Sequence, residues 1–153
     1  MKKILMVLLL LASTAPHASD EYPLPGTVVL TSRLAYADLV SRLEAAVQAN
    51  GMGVVARASA TIGARNLGVE IPGNMVVMVF HPRFAVRMLE ASVAAGFEAP
   101  IRFYITEGSD GTARLIYRKP SAVFAPYGNS GIDTMAQELD AIFARIAAQA
   151  LAP

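Results

Sequence analysis

Six apolar residues follow one another without interruption from Met75 to Phe80, and this run constrains the fold more than any other part of the chain. Successive side chains of a strand point to opposite faces of a sheet, so a half-buried strand alternates polar and apolar residues. This run does not alternate. Its shortness, its valines and its limits at Pro72-Gly73 and Pro82 favour a strand over a buried helix. We therefore predict a strand over residues 75–80, inside a sheet with both faces covered.

The spacing of apolar residues predicts the remaining elements. Asp110-Gly111 is a strong hairpin-turn signal between two alternating segments, Ser130 to Asp133 has the spacing of a capping-box variant, and residues 120–128 are predicted as a loop. Strands are predicted at 26–31, 53–58, 101–106 and 112–118, and helices at 35–50, 61–67, 82–95 and from 130 onward. The last helix has an apolar stripe of Met135, Leu139, Ile142, Phe143 and Ile146. The order β-α-β-α-β-α-β-β-α predicts an α+β fold, a single two-layer domain with a mixed or antiparallel sheet of about five strands and helices packed on it.

The first residues have the pattern of a secretory signal peptide. Lys2 and Lys3 precede an apolar core from Ile4 to Ala12, and small residues follow. We expect cleavage after Ala18, which gives a signal peptide at 1–18, an extended lead-in at 19–25 and a domain at 26–150. The core is too short for a stable membrane anchor. The mature protein is expected to be periplasmic or secreted, without stable membrane insertion.

Composition excludes several classes of function. Removal of the leader leaves one lysine and ten arginines against twelve acidic residues, so the near-neutral mature chain is not expected to bind nucleic acid, which requires a clustered basic face. The chain has no cysteine, which excludes thiolate zinc sites and thiol catalysis. We expect no bound metal and no cofactor.

His81 is the one histidine that follows the predicted cleavage point, and it lies at a junction between a strand and a helix. Such a residue is commonly a helix cap. An alternative is a metal- or haem-linked redox protein with His81 as ligand and Met75, Met78 or Met88 as a second one. Side chains three positions apart on a strand point to opposite faces, which disfavours convergence of Met75 and Met78.

The order of several short motifs resembles the DUF302 family of small α+β domains of undefined function. These motifs are Asn50-Gly51-Met52-Gly53-Val54, Ala64-Arg65-Asn66-Leu67-Gly68-Val69-Glu70, His81-Pro82, Ala99-Pro100-Ile101-Arg102, and Asp110-Gly111 followed by a strand and Pro120. The resemblance covers residues 26–150 and implies a homodimer. Two positions depart from the family pattern: Ser59-Ala60 stands where the family usually has Asp-His, and Phe80-His81-Pro82 where it usually has Gly-Asn-Pro. His81 is a possible substitute for the histidine that is missing at Ala60.

We expect a self-associating binding or interaction module rather than an enzyme, because no complete catalytic set is present. A pocket that gathers His81, Arg65, Glu70 and Tyr127 is the candidate binding site for an unidentified small ligand. A third hypothesis, a carboxylate-centred enzyme, would pair Glu70 with Asp133 or Asp140.

Overall fold

The structure is a computed structural model and describes residues 22–152. Five strands and five helices form this part of the chain. The strands are β1 (Thr27–Ser32), β2 (Gly53–Ala58), β3 (Asn74–Phe80), β4 (Ile101–Glu107) and β5 (Ala113–Arg118). The helices are α1 (Tyr36–Ala49), α2 (Ala60–Asn66), α3 (Pro82–Ala91), α4 (Pro120–Phe124) and α5 (Ser130–Leu151), with short 3-10 turns at Ala94–Glu98 and Ala125–Tyr127. The predicted signal peptide at 1–18 lies outside the described residues.

The strands form one antiparallel sheet in the order β1-β5-β4-β3-β2. The predicted element order and α+β class are confirmed, and of the two predicted sheet types the antiparallel one is present. β3 pairs with β2 on one side and β4 on the other, so the apolar run is extended inside the sheet, as predicted. Within residues 22–152, no helix combines the length and the apolar character needed to cross a membrane.

The prediction that both faces of β3 are covered is wrong. Val77 and Val79 are fully buried, whereas Val76 and Met78, which point the other way, are half-buried. The register pairs Val77 with Phe103, which is also fully buried, so these side chains share the face on which the helices pack. No helix of residues 22–152 forms a layer on the opposite face. The run from Met75 to Phe80 is therefore apolar on both faces, although the described helices cover only one of these faces.

An aromatic stack joins the longest helix to the middle of the sheet. The Phe143 ring of α5 lies parallel to the Phe103 ring of β4, with centroids 4.5 Å apart and an interplanar angle of 13°. Tyr117 of β5 is tilted against both rings. The predicted apolar stripe of α5 is buried throughout: Met135, Leu139, Ile142, Phe143 and Ile146. Burial of such aromatic and aliphatic surface is the main stabilising contribution of this layer.

Asn129, rather than the predicted Ser130, caps the last helix. Its Oδ1 accepts hydrogen bonds from the backbone N–H groups of Gly131 (2.9 Å) and Ile132 (3.2 Å), and its Nδ2 donates to the Ala91 carbonyl (3.2 Å). The same side chain thus satisfies backbone groups at the start of α5 and the end of α3. The prediction that α3 continues to Ala95 is also wrong, because Ser92 has extended dihedral angles.

The segment predicted as a loop at 120–128 contains α4. Pro120 occupies the first position of this helix, where its missing N–H costs nothing. Asp140 of α5 accepts hydrogen bonds from the Ser121 backbone N–H (2.8 Å) and hydroxyl (2.6 Å). These bonds fix α4 against α5, and the sequence pattern did not indicate them because the partner lies 19 residues away.

Replacement of Asn129 by alanine is expected to lower the free energy of unfolding by about 1–2 kcal/mol, because it removes a helix cap together with the bond to Ala91. The matched control is Asn66→Ala at the exposed end of α2, for which a change within about 0.5 kcal/mol is expected. Urea unfolding followed by circular dichroism measures both values. Equal stability of the two variants would contradict the double-capping role.

Candidate functional site

The sheet face opposite the helices, called the open face here, carries an apolar centre. Val76 on β3 pairs with Tyr104 on β4, which pairs with Ile116 on β5, so these three side chains form one row across the sheet. Met78 and Arg102 form the next row. The side chains of the open face on the three inner strands are Asn74, Val76, Met78, Phe80, Arg102, Tyr104, Thr106, Arg114, Ile116 and Arg118.

A groove of about 770 Å³ runs over this apolar row. Its floor includes Val76, Tyr104 and Ile116, and the segment Tyr22–Leu24 and Val123 of α4 contribute to its walls. Ile116 is only 4% exposed although it lies on the face without a helical layer. A volume of this size lies within the range of sites that enclose a small organic ligand.

The wall formed by the lead-in is attached to the corner between β5 and α4. The Lys119 N–H donates to the Gly26 carbonyl (2.8 Å), and the Arg118 side chain donates to the Pro25 (3.4 Å) and Ala122 (3.1 Å) carbonyls. Gly26 has φ of +75°, and a Cβ there would collide with the Ala122 side chain. A glycine is therefore required where the lead-in approaches α4.

Three charged side chains are among the described residues that line the groove. Arg118 is held by neutral backbone carbonyls, and the Glu98 carboxylate accepts a hydrogen bond from the Tyr127 hydroxyl (3.1 Å). Arg102 is exposed and makes no hydrogen bond or ion pair within residues 22–152. The groove thus combines an apolar floor with one guanidinium that is available to a ligand.

The polar end of the groove, at Ser59, Ala60 and Asn74, is fixed by several hydrogen bonds. The Ser59 hydroxyl donates to the Asn74 carbonyl (2.7 Å) and accepts from the Ile62 N–H (3.3 Å), which makes Ser59 the cap of α2. The Asn74 side-chain oxygen accepts from the Ala60 N–H (2.9 Å). These groups fix the start of α2 against β3, which is a structural role.

Tyr36 lies beside this polar end. Burial raises the pKa of its hydroxyl, and the nearby Glu107 carboxylate and Tyr104 raise that pKa further, while the neighbouring Ser59 hydroxyl lowers it. A Cβ on Gly73 would lie 2.7 Å from the Tyr36 ring, so only glycine allows the ring to pack there. A phenol with a raised pKa keeps its proton at neutral pH and serves as a hydrogen-bond donor.

His81 caps α3, which is the structural alternative that the sequence suggested. Its Nδ1 accepts a hydrogen bond from the Arg83 N–H (3.1 Å), and its ring meets the Phe84 ring edge-on at 6.1 Å between centroids. A neutral imidazole that accepts at Nδ1 carries its proton on Nε2, so neither nitrogen offers a free lone pair to a metal. The cavity beside His81 measures only about 30 Å³.

The other observations also give no support to the metal or haem hypothesis. Met75 packs against the core while Met78 lies on the open face, in agreement with the expected opposite directions. Within residues 22–152, no group of three or more histidine, aspartate or glutamate side chains is arranged to hold a metal ion.

The structure does not bring the four predicted site residues into one pocket. Arg65 is exposed near the end of α2, and Glu70 is exposed in the segment between α2 and β3. Tyr127 is connected to the groove only through its hydrogen bond to Glu98. None of these four residues, His81 included, lines the 770 Å³ groove. Their role in binding stays a prediction.

The carboxylate-centred enzyme hypothesis has no assembled pair either. Asp140 already accepts two hydrogen bonds from Ser121, and Asp133 and Glu70 are both exposed.

The sequence indicated two alternating hairpin strands, but its pattern did not single out Arg102, Tyr104, Val76 and Ile116 as a site. The available signal was the alternation of the hairpin strands combined with the non-alternating run beside them. The amphipathic strands turn their polar side chains to the face of the sheet that lies away from the core. A strand that is apolar on both sides adds apolar side chains to that same face, so an apolar area is predicted there.

Comparisons with known proteins agree with the fold. A crystal structure of an uncharacterized conserved DUF302 protein from Bacillus stearothermophilus superposes with a TM-score of 0.70 at 20% sequence identity, and the alignment covers 83% of this chain and 96% of that one. No functionally curated protein matches the chain. The family model described as a domain of unknown function, DUF302, matches residues 28–150. Because this match spans most of the sequence, the chain belongs to the DUF302 family.

Proposed function

We propose that the protein is an exported, self-associating binding module that holds a small ligand in the groove on the open face. The observation that carries this proposal is the apolar row Val76, Tyr104 and Ile116 at the floor of a groove of about 770 Å³. Exposed apolar surface is unfavourable in water, and a concave apolar surface with a few polar groups is typical of a ligand site.

The state of the polar groups supports binding rather than catalysis. The Ser59 hydroxyl donates a hydrogen bond to one backbone carbonyl and accepts one from a backbone N–H, and the Glu98 carboxylate accepts a hydrogen bond from Tyr127. A nucleophile needs a base within hydrogen-bond distance, and His81, which caps α3, does not line the groove. The side chains of the groove are arranged to orient a ligand.

A largely apolar surface outside the groove supports self-association. Val93 and Phe97 lie in and beside the 3-10 turn after α3 and are 78% and 89% exposed. Large exposed apolar side chains that lie near each other commonly mark a protein interface. We propose that this surface contributes to the contact between two copies of the chain.

Export is proposed from the leader pattern of residues 1–18. The two lysines, the apolar core and the small residues before Ser19 support it. The ligand would then be a molecule that the module meets in the periplasm or outside the cell.

A neutral apolar fluorophore, N-phenyl-1-naphthylamine, is expected to bind the mature protein at one site per chain. Val76→Trp places an indole in the groove and should weaken binding at least about tenfold. The control Val86→Trp puts the same side chain on an exposed position of α3 that does not line the groove, and binding should not change. Equal affinities of the two folded variants, or no saturable binding to the wild type, would contradict the groove proposal.

Light scattering is expected to give the mass of two chains for the mature protein. Phe97→Glu should shift the particle toward one chain, because a charge in an apolar contact is costly. The control Leu67→Glu introduces the same charge at an exposed apolar position at the end of α2, outside the proposed contact, and should leave the dimer intact. A monomer at all concentrations would remove self-association from the proposal.

Expression of the full chain in a Gram-negative host is expected to yield periplasmic protein whose first residue is Ser19, as measured by intact mass. Leu8→Asp interrupts the apolar core of the leader and should leave the uncleaved chain in the cytoplasm. Cleavage of that variant, or a wild-type chain that keeps residues 1–18, would contradict the export proposal.

A further inference from the structure

We infer that the ligand of the groove is an amphiphilic anion, an elongated apolar molecule with a single anionic head such as the carboxylate of a fatty acid, and that Arg102 binds that head. This inference rests on the proposed function of the groove and adds the chemical class of its ligand. It follows from the charges of the lining side chains and from their order across the sheet.

The charge balance of the groove favours an anion. Two guanidinium groups, Arg102 and Arg118, line it together with one carboxylate, Glu98. Arg118 bonds only to uncharged carbonyls, so its positive charge is not neutralised by an acidic partner. Glu98 is engaged by Tyr127 through the phenol, a neutral donor. Among the described residues, the lining therefore carries one more positive than negative charge, in a site with an apolar floor.

Arg102 is the cation that can receive the head of a ligand. Its guanidinium has no partner within residues 22–152, whereas Arg118 is occupied in holding Pro25 and Ala122. A guanidinium presents a planar set of donors that matches the two oxygens of a carboxylate, and such charge-assisted bonds are stronger than bonds between neutral groups. An uncharged head group would leave this donor set without an acceptor.

The apolar body of the ligand has a defined place beside that head. On β4, Arg102 and Tyr104 are two residues apart and point to the same face, which separates them by about 7 Å along the strand. Tyr104 belongs to the row with Val76 and Ile116, whereas Arg102 belongs to the adjoining row with Met78. A molecule with its head at Arg102 thus lays its hydrocarbon chain directly over the apolar row.

The described lining carries little negative charge that would oppose an anion. No acidic side chain other than Glu98 is among the described residues that line the groove. Binding of a cationic amphiphile would place a positive charge beside two arginines, which costs Coulomb energy in a site of lowered dielectric constant.

The test compares three ligands with the same twelve-carbon chain, dodecanoate, dodecan-1-ol and dodecyltrimethylammonium. Each is titrated below its micelle concentration against the mature protein loaded with N-phenyl-1-naphthylamine. Dodecanoate is expected to displace the probe about tenfold more effectively than dodecan-1-ol, which corresponds to one charge-assisted contact. Each methylene added to the chain should improve affinity by about fourfold until the groove is filled.

Arg102→Met keeps a long apolar side chain and removes the charge, so it should abolish the preference for dodecanoate while dodecan-1-ol binds as before. Arg102→Gln serves as a second variant should the methionine disturb folding, which circular dichroism monitors. The matched control is Arg33→Met, at an exposed arginine outside the groove, and it should retain the full preference.

The possible failures are distinguishable. Equal binding of dodecanoate and dodecan-1-ol, tighter binding of the cationic ligand, or an unchanged preference in Arg102→Met would overturn the inference and leave the groove proposal standing. Binding of the probe without displacement by any of the three ligands would likewise overturn the inference and leave the groove proposal standing. Failure of the probe itself to bind would overturn both, and would indicate that a second copy or another segment occupies the open face.

Discussion

The packing of α5 on the sheet determines which face of this protein is available for function. Phe143 stacks on Phe103 at 4.5 Å, with Tyr117 against both, and α1 and α3 extend the same layer through buried residues such as Leu43 and Met88. Because the helices that form the core lie on one side, no helical layer from the described part of the chain buries the opposite side of the five strands. The cost of leaving apolar residues there is offset in part by the lead-in and α4, which narrow the open face to a groove.

The groove depends on contacts that are local in space and distant in sequence. Arg118 reaches Pro25 across 93 residues, and Asp140 fixes Ser121 across 19. Together they hold two walls of the groove against the sheet. Ser59 and Ala60 lie at its rim. These two positions present a hydroxyl and a methyl group there, and the positive charge at the groove comes from Arg102 of β4 and Arg118 of β5.

The sequence predicted the order of elements, the hairpin at Asp110-Gly111 and the buried stripe of α5, because each depends on local periodicity or turn chemistry. It failed on β3 for a physical reason: residues that line a ligand groove and residues that face the core are equally apolar, so nothing within residues 75–80 distinguishes Val76 from Val77. The sequence also pointed to His81 as a binding residue, because His81 lies at a junction between a strand and a helix. In the structure His81 caps α3 through one hydrogen bond from the Arg83 N–H. Asn129 was overlooked because its second partner, Ala91, lies 38 residues away.

The central claim is that β3 turns one apolar side to the core and the other to a groove that solvent and ligands can enter. Methyl NMR of the mature protein with a soluble paramagnetic agent tests it most directly. The account predicts strong relaxation of the Val76 and Met78 methyl groups and protection of those of Val77 and Val79. Equal protection of all four residues would show a sheet covered on both faces and would contradict the account.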